Sequence, residues 1–393
     1  MHPTEIELGL DRLRQVACRL GVESLPAPVI TVAGTNGKGS TLRLMTALAE
    51  RHGRRICLYT SPHLYRFNER VRLPDGLASD QQLCDAFAQV EQVRQGVSLT
   101  YFEFSTLAAL WLFRQSGADL VLLEVGLGGR LDAVNIVDPD VAVVTSVGLD
   151  HQDWLGESRE AIAGEKCGIA RRGKPLVFGE TDWPENLLAL VERYAAKPVL
   201  AGRDFSLGPQ GLMLADGRQL DLPGKVTLGR DNLATACLAL SLAGIAVTAE
   251  DCAAMATVSL FGRCEFRRLR GRDCWFDVGH NLPAVARFLQ QLPPCEGRRH
   301  LVFGMMADKP IDEVVALFSD QPVSWHLAAP EVPRAAPVSR LAAALPDGAL
   351  FCGYDSVEQA LNGALDAAQG GDQVLIFGSF YTVAQASGEQ QGG

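Results

Sequence analysis

The sequence lacks an excess of basic residues. It has 36 Lys and Arg against 46 Asp and Glu, which gives a formal net charge of −10. Nucleic acids and anionic membrane surfaces attract protein faces rich in Lys and Arg, so this charge predicts no nucleic-acid partner and no membrane. It does not argue against anionic small substrates, because local basic residues can bind them inside a negatively charged protein.

The sequence also lacks paired cysteines and long apolar runs. Its ten cysteines are scattered and form no C-x-x-C pair, which is typical of reduced cysteines used as small core residues in a cytosolic protein. The opening MHPTEIELGLDRLRQ has no apolar signal-peptide core. The uncharged stretch 233–249 is short for a membrane span. We therefore expect it to be a buried helix, and the chain to be soluble and cytoplasmic.

Short apolar segments alternate with helical ones. An amphipathic helix opens the chain, with apolar residues at helical spacing: Ile6, Leu10, Leu13, Ala17 and Leu20. Further helices are predicted over about 40–52 and 104–115. Strands are predicted at 28–33, 56–59, 120–125, 141–145, 275–278, 300–303 and 374–377. Near-continuous apolar strands that alternate with helices predict an α/β fold with a mainly parallel sheet covered on both faces.

An arginine-rich stretch, residues 263–272, marks a change along the chain. The alternation of strands and helices begins again after it. We therefore predict two domains of unequal size. Residues 1–266 would form a P-loop-type domain with a mainly parallel sheet, and residues 267–393 a smaller Rossmann-like α/β domain. The polar tail 388–393 is expected to be disordered.

A glycine-rich segment, GTNGKGST at residues 34–41, follows the first predicted strand and precedes a helix. Its glycines allow backbone N–H groups to face phosphate oxygens, and the helix N-terminus adds partial positive charge. Lys38 supplies a full charge, and Ser40 can reach a magnesium ion. The spacing differs from G-x-x-x-x-G-K-[ST]. The alternative is a glycine-rich turn with an exposed lysine, but the strand before it and the helix after it favour a phosphate site.

Polar residues follow three other predicted strands. They are TSPH at 60–63, EVGLGGRLD at 124–132 and DH at 150–151. Ligands of open α/β sheets bind beyond the carboxyl ends of the strands, so these residues are expected near the phosphate loop. Glu124 is the natural magnesium ligand, because magnesium prefers carboxylate oxygens and an unpaired carboxylate is costly to bury. His151 would be an unusual magnesium ligand, and its alternative is a structural histidine.

Three segments together resemble the folylpolyglutamate synthase family, which is related to the Mur ligases. They are VAGTNGKGS at 32–40, TSPHL at 60–64 and LEVGLGGRLD at 123–132. The similarity runs from about Ile6 to Thr382 and is greater to the bifunctional bacterial members that are also dihydrofolate synthases. It implies a monomeric, ATP- and Mg2+-dependent ligase that forms an acyl phosphate. It also implies that L-glutamate is added to dihydropteroate and to tetrahydrofolate, with residues 1–266 as the ATP-binding Mur-ligase-type central domain and residues 267–393 as the ligase domain.

The resemblance also implies roles for individual residues. It assigns ATP binding to Thr35, Asn36, Gly37, Lys38, Gly39, Ser40, Asn232, Arg263, Asp277 and His280. It assigns the metal to Ser61, Glu124 and His151. It assigns the pterin substrate to Thr100, Tyr101, Phe102, Glu103, Leu131, Asp132 and Ala133. The catalytic residues would be Lys38, His151 and Lys166, and Lys166 matches a lysine that such ligases carbamylate into a carboxylate-like metal ligand.

Three alternatives stay open. The chain could be a monofunctional folylpolyglutamate synthase, another Mur-type ligase that acts on a cell-wall peptide precursor, or a nucleotide-binding switch that uses the loop without ligation. The aromatic segment 101–104 favours a folate substrate over a cell-wall precursor, because a pterin ring stacks on flat apolar surfaces. The presence of Glu124, His151, Lys166 and Arg263 argues against the switch.

Overall fold

The computed structural model describes residues 9–388. They form two compact units, of which the first ends at Val258 and the second begins at Ser259. The domain limit expected between residues 266 and 267 lies inside a strand, Glu265–Leu269, and the domain limits stay a prediction. Ile6 and the expected tail beyond Gly388 lie outside the described residues.

The first unit is built on an eight-stranded sheet. Its strands are β1 (Val29–Ala33), β2 (Ile56–Tyr59), β3 (Val71–Leu73), β4 (Gly76–Leu77), β5 (Leu120–Glu124), β6 (Val141–Val144), β7 (Pro175–Phe178) and β8 (Lys197–Leu200). Their order is β4-β3-β2-β5-β1-β6-β7-β8. Neighbours from β2 to β8 are parallel, and only β3 and β4 add antiparallel pairs. The mainly parallel α/β sheet predicted from the apolar segments is confirmed.

Helices cover this sheet, and a small antiparallel sheet follows it. The helices are α1 (Asp11–Leu20), α2 (Lys38–Arg51), α3 (Asp80–Arg94), α4 (Tyr101–Gln115), α5 (Gln152–Leu155), α6 (Arg159–Cys167), α7 (Leu187–Tyr194), α8 (Arg230–Leu242) and α9 (Ala249–Ala254). The small sheet consists of β9 (Phe205–Leu207), β10 (Gly211–Leu214) and β11 (Gln219–Asp221). Single 3-10 turns span Phe67–Arg70 and Ala133–Ile136.

The uncharged stretch 233–249 is not a single helix, so that prediction was wrong in its limits. Helix α8 begins earlier, at Arg230, and ends at Leu242. Gly244 then adopts a φ of 87°, a left-handed conformation that ends a helix and that glycine adopts readily. A new helix starts only at Ala249, with Thr248 as its N-cap. Among the described residues, every helix is too short or too polar to cross a membrane.

The second unit contains a six-stranded sheet. Its strands are β12 (Glu265–Leu269), β13 (Arg272–Asp277), β14 (Arg299–Phe303), β15 (Val323–Ala328), β16 (Phe351–Tyr354) and β17 (Gln373–Phe377). The order is β12-β13-β17-β14-β15-β16, with β12 alone antiparallel. The helices are α10 (Leu282–Gln291), α11 (Ile311–Ala316), α12 (Val338–Ala343), α13 (Val357–Ala367) and α14 (Phe380–Ser387). Helices packed on a mainly parallel sheet confirm the second α/β fold.

Candidate active site

The phosphate loop connects β1 to α2, and at two of its glycines there is no room for a side chain. Gly34 has a φ of 154°, and a Cβ there would lie 1.9 Å from Oγ1 of Thr145. Gly37 has a φ of 89°, and a Cβ there would lie 2.7 Å from Oδ1 of Asn232. Glycine at these two positions allows the loop backbone to lie close to Thr145 and Asn232. The N–H groups of the loop thus stay near the start of α2.

Hydroxyl groups beyond β6 hold the loop in place. Thr145 Oγ1 donates to the Asn36 carbonyl at 2.6 Å, and the Asn36 N–H donates to Ser146 Oγ at 2.9 Å. Thr35 Oγ1 donates to the Gly148 carbonyl at 3.1 Å and accepts from the Gly148 N–H at 3.0 Å. Thr145 and Ser146 were not among the predicted site residues. Their position at the carboxyl end of a strand beside β1 was the signal that could have identified them.

The first turn of α2 joins the loop to α8. Lys38 begins α2, and its Nζ donates to the Gly34 carbonyl at 2.8 Å, so the ammonium group lies over the loop. Ser40 is buried in the same turn. Thr41 Oγ1 donates to Oδ1 of the buried Asn232 at 3.3 Å. The structure thus brings residues 35–40 and Asn232 together at a helix N-terminus, where backbone N–H groups and the helix dipole favour an anion such as phosphate.

Two of the three predicted metal ligands are in direct contact. Glu124 is the last residue of β5 and is buried. Its Oε2 accepts a hydrogen bond at 3.1 Å from the N–H of Ser61, which lies just beyond β2. His151 lies beyond β6, as the N-cap of α5, with its Nε2 3.9 Å from Asp150 Oδ1. Because β2, β5, β1 and β6 are neighbouring strands of the sheet, all three residues lie at the same edge of the sheet as the phosphate loop.

This donor set fits magnesium. Within residues 9–388, no group of three or more His, Cys, Asp or Glu side chains is placed to hold a metal ion. Magnesium does not require such a cage, because it keeps several waters and is usually bound by one or two carboxylates together with phosphate oxygens. A buried carboxylate beside a phosphate loop meets that requirement.

Lys166 lies in α6 and is buried, although an exposed lysine was the ordinary expectation for such a helix. Its pKa is lowered to about 7, mainly by burial and also by the nearby charge of Lys38, while Asp150 and Asp132 oppose the shift. The segment after Glu124 packs on the backbone of the same helix, since the Arg130 N–H donates to the Glu165 carbonyl at 2.7 Å. At neutral pH a large share of Lys166 is therefore a neutral amine, which is the nucleophilic form.

The residues predicted to bind a pterin have structural roles as well. Thr100 and Glu103 form the capping box of α4, and Glu103 also pairs with Arg12 at 3.2 Å. Phe102 packs so closely on Gly126 that a Cβ there would lie 2.6 Å from its ring. Tyr101 is 38% exposed, and its ring centre lies 5.5 Å from the Arg70 guanidinium and 6.1 Å from the Phe67 ring centre.

Asp132 and its neighbours Leu131 and Ala133 lie beyond the loop that follows β5. Asp132 accepts hydrogen bonds from the N–H groups of Gly126, Leu127 and Val134 at 3.0, 2.9 and 3.1 Å. Burial raises its pKa to about 6, and the three N–H donors and the charge of Lys38 oppose the shift. Ala133 begins the 3-10 turn that Asp132 caps, and Leu131 is half-buried.

In the second unit, two of the three predicted residues lie near one aromatic ring, and the third interacts with both of them through its charge. The Arg263 guanidinium lies 5.4 Å from the Phe380 ring centre, and the His280 ring lies 6.4 Å from it. Asp277 is buried and accepts from the N–H groups of Cys264 and Gly279 at 2.8 and 2.7 Å. Burial raises the pKa of Asp277, and the charge of Arg263 opposes that rise. These groups form one charged cluster within the unit.

Both units match known families. Residues 32–182 match the Mur ligase middle domain, and residues 262–380 match the Mur ligase, glutamate ligase domain. The chain is also similar to the dihydrofolate synthase/folylpolyglutamate synthase of Escherichia coli strain K12. The two are 42% identical over 395 residues, which cover 98% of this chain and 92% of the relative.

Solved structures extend the similarity. The Escherichia coli FolC structure in complex with DHPP and ADP has a TM-score of 0.90 and 40% identity, covering 98% of this chain and 94% of that one. A bifunctional folylpolyglutamate synthase/dihydrofolate synthase with Mn, AMPPNP and L-glutamate bound has a TM-score of 0.88 and 40% identity, covering 97% and 93%. The family predicted from three short segments is confirmed: this chain belongs to the dihydrofolate synthase/folylpolyglutamate synthase family of Mur ligases.

Proposed function

We propose that this chain is an ATP- and magnesium-dependent ligase. It joins L-glutamate to dihydropteroate, which gives dihydrofolate, and to tetrahydrofolate, which gives polyglutamates. The observation that carries this proposal is the phosphate loop beside the Ser61–Glu124 contact at one sheet edge, in a chain 42% identical to the Escherichia coli dihydrofolate synthase/folylpolyglutamate synthase. The DHPP, nucleotide and L-glutamate bound to similar structures are the three reactant classes that this reaction needs.

The first step transfers the γ-phosphoryl group of ATP to the carboxylate of the pteroate or folate. Lys38 and the loop amides stabilise negative charge on the transferring group, and losing one such preorganised donor typically costs about 10²–10³ in rate. Ser61, Glu124 and His151 would hold magnesium, which supplies further positive charge to the phosphate oxygens. The products of this step are ADP and an acyl phosphate.

In the second step the amine of glutamate attacks the acyl carbon. The C–O bond to phosphate breaks, inorganic phosphate leaves, and the amine gives up a proton as the amide forms. The acyl phosphate must be kept from water until then, which requires an enclosed site. The residues next to the loop satisfy this requirement in part, because Glu124, Lys166 and Asn232 are all less than 7% exposed.

Lys166 is proposed to carry a carbamate formed from carbon dioxide. The neutral amine that burial favours attacks the carbon of CO2, loses a proton, and becomes an anion. This anion suits a position close to Lys38, whose charge acts on Lys166 in the structure. His151 is proposed as the catalytic histidine of the same region, where it follows β6.

Further contacts are proposed from the family pattern. Arg263, Asp277 and His280 would contact ATP, and the Arg263 guanidinium beside Phe380 supplies the cation that a phosphate needs. Residues 100–103 and 131–133 would hold the pterin. In the first segment Tyr101, which is 38% exposed, offers a stacking surface, whereas in the second the buried Asp132 holds its loop through three backbone N–H groups.

A monomer in the cytoplasm is the proposed state of the protein. None of the ten cysteines, all of which lie within residues 9–388, forms a disulfide, as expected in a reducing compartment. Sedimentation equilibrium would give the mass of one chain, and a value of two or more chains would contradict the monomer. Cell fractionation would test the compartment, with recovery outside the cytosolic fraction as the opposing result.

The ligase is distinguished from a nucleotide switch by the substrate dependence of ADP formation. ATP and magnesium are supplied with dihydropteroate alone, with glutamate alone, and with both. Sustained ADP formation is expected only with both, since the acyl phosphate turns over only when an amine attacks it. ADP formation at the same rate in all three mixtures would support the switch instead.

A further inference from the structure

Cys237 of α8 and Cys252 of α9 are in contact in the first unit. Their sulfur atoms are 3.6 Å apart, within hydrogen-bonding distance for two thiols. A disulfide has an S–S bond of about 2.0 Å, so a small side-chain movement would join them. Cys57 offers a contrast, because it is also buried but its thiol donates to a serine hydroxyl, Ser116 Oγ, at 3.1 Å.

A cavity lies beside Cys237, one of the two cysteines. It has a volume of about 520 Å³, and Cys237 lines it together with Leu212, Leu238 and Ser241. The two cysteines are only 1% and 0% exposed, so a bulky oxidant such as a protein disulfide is excluded. Hydrogen peroxide, which is little larger than water, fits a cavity of this volume, and Cys237 is one of the residues that line it.

The helices that carry the two thiols are fastened to the two ends of α2. Near its start, Thr41 Oγ1 donates to Asn232 of α8 at 3.3 Å. At its end, Arg51 Nε and His52 Nε2 each bond to the Asp251 carboxylate of α9, at 2.8 and 2.9 Å. These contacts hold α8 and α9 in a fixed relation, which keeps the sulfurs close and raises their effective concentration.

The thiols also differ in acidity. The hydrogen bond from Cys237 lowers the pKa of Cys252, while the same contact and burial raise the pKa of Cys237. Desolvation and the adjacent Asp251 carboxylate oppose the shift at Cys252. Cys252 is therefore the more readily ionised sulfur and the better nucleophile toward an oxidised partner.

We propose that Cys237 and Cys252 form a reversible dithiol–disulfide site that reacts with hydrogen peroxide. Cys252, when ionised, accepts the Cys237 proton through their hydrogen bond as the Cys237 sulfur attacks one peroxide oxygen. The O–O bond breaks and leaves a sulfenic acid on Cys237 and a hydroxide, which becomes one water with the proton that Cys252 had released. The Cys252 sulfur then attacks the Cys237 sulfur, the S–O bond breaks, and the hydroxide leaves as a second water with the remaining thiol proton. In sum, two thiols and one peroxide give one disulfide and two waters.

The test maps thiols in the folded chain after peroxide treatment. The exposed thiols are first removed by Cys18→Ser, Cys84→Ser and Cys352→Ser, since these would react in any case. Peroxide-treated protein is alkylated under denaturing conditions and digested. We expect a peptide pair linking Cys237 to Cys252, which disappears after treatment with dithiothreitol. Full alkylation of both cysteines, or their recovery only as sulfinic or sulfonic acids, would overturn the proposal.

Matched variants and a denatured reference make the result specific. Cys237→Ser and Cys252→Ser should each abolish the linked peptide, whereas Cys57→Ser should keep it. The same treatment in concentrated urea should yield the linked peptide at least about 10-fold more slowly, because only the folded chain holds the sulfurs together. Equal rates in the folded and unfolded chains would show that the fold does not create the site. The comparison of folded and urea-unfolded chains needs neither Cys237→Ser nor Cys252→Ser. It therefore tests the proposal even if one of these variants folds poorly.

Discussion

The backbone N–H of Ser61 donates to Oε2 of Glu124 at 3.1 Å. This bond joins the ends of β2 and β5, which are neighbouring parallel strands, and it orients a carboxylate that is 6% exposed. Partners that orient a ligating carboxylate commonly contribute about 10–100-fold to metal affinity or activity. The sheet therefore places a preoriented anion beside the loop that is proposed to bind the phosphates of ATP.

Glu124→Gln should abolish ligation and leave the fold intact. The amide keeps the volume of the side chain and an oxygen that can accept from Ser61, but it removes the charge that holds magnesium. We expect product formation to fall at least about 100-fold, with little change in melting temperature. Glu91→Gln, at an exposed carboxylate paired with Arg94, is the control and should keep full activity. Magnesium-dependent turnover of Glu124→Gln near the unmutated level would remove Glu124 from the metal site.

Lys166→Ala should be nearly inactive, because it removes the amine that would carry the carbamate. A short carboxylic acid added to this variant should restore part of the activity by supplying the missing anion. Lys174→Ala, at a half-exposed lysine paired with Asp140, is the control. Full activity of Lys166→Ala without any additive would show that Lys166 has no role in the reaction.

Arg263→Ala should raise the KM for ATP and lower kcat, with little change in melting temperature. The expected cause is the loss of a cation that contacts ATP rather than the loss of a structural ion pair. Arg268→Ala is the matched control, since Arg268 is exposed and pairs with Asp273 at 2.8 Å. A large loss of stability with normal kinetics in Arg263→Ala would assign Arg263 a structural role.

The buried histidines of the second unit should make it sensitive to acid. His326 and His300 are 3.3 Å apart on β15 and β14, and His326 Nδ1 lies 3.0 Å from the Tyr354 hydroxyl. Burial, with a contribution from His300, lowers the pKa of His326 from 6.5 to about 4. Between these values the unfolded chain binds a proton that the folded chain does not, so the free energy of unfolding should fall as the pH falls from about 6.5 to about 4. The full effect is on the order of 3 kcal/mol.

Chemical unfolding at a series of pH values, followed by tryptophan fluorescence, to which Trp275 and Trp325 of the second unit contribute, measures this dependence. His326→Gln keeps a polar side chain without the titration, so its free energy of unfolding should vary less between pH 6.5 and pH 4. An identical pH dependence in the parent chain and in His326→Gln would assign the acid sensitivity to other groups.

Local patterns in the sequence predicted the main sheet and the region of the site. The apolar strands are long enough to be recognised, and parallel strands present their carboxyl ends at one edge, so Ser61 and Glu124 could be expected near the phosphate loop because each follows or ends a predicted strand. The end of α8 at Leu242 was missed because the sequence stays uncharged beyond it. The helix ends through the left-handed backbone conformation of Gly244, which the composition of the stretch does not indicate.

Contacts that depend on tertiary structure could not be predicted. The hydroxyls of Thr145 and Ser146 hold the phosphate loop from more than one hundred residues away along the chain. In the arginine-rich stretch, Arg268 lies opposite Asp273 in the antiparallel pair of β12 and β13 and forms an ion pair with it. Only the register of those two strands brings these charges together.

The most direct test of the proposed function is product formation with each pteridine substrate alone. Dihydropteroate and tetrahydrofolate are incubated separately with ATP, magnesium and L-glutamate, and the products are identified by mass. The account predicts that dihydropteroate gains one glutamate to form dihydrofolate, and that tetrahydrofolate is extended by glutamate. If tetrahydrofolate is extended and dihydropteroate is not, the chain is a monofunctional folylpolyglutamate synthase. If neither gains glutamate while ATP and magnesium are present, the proposed ligase activity is wrong.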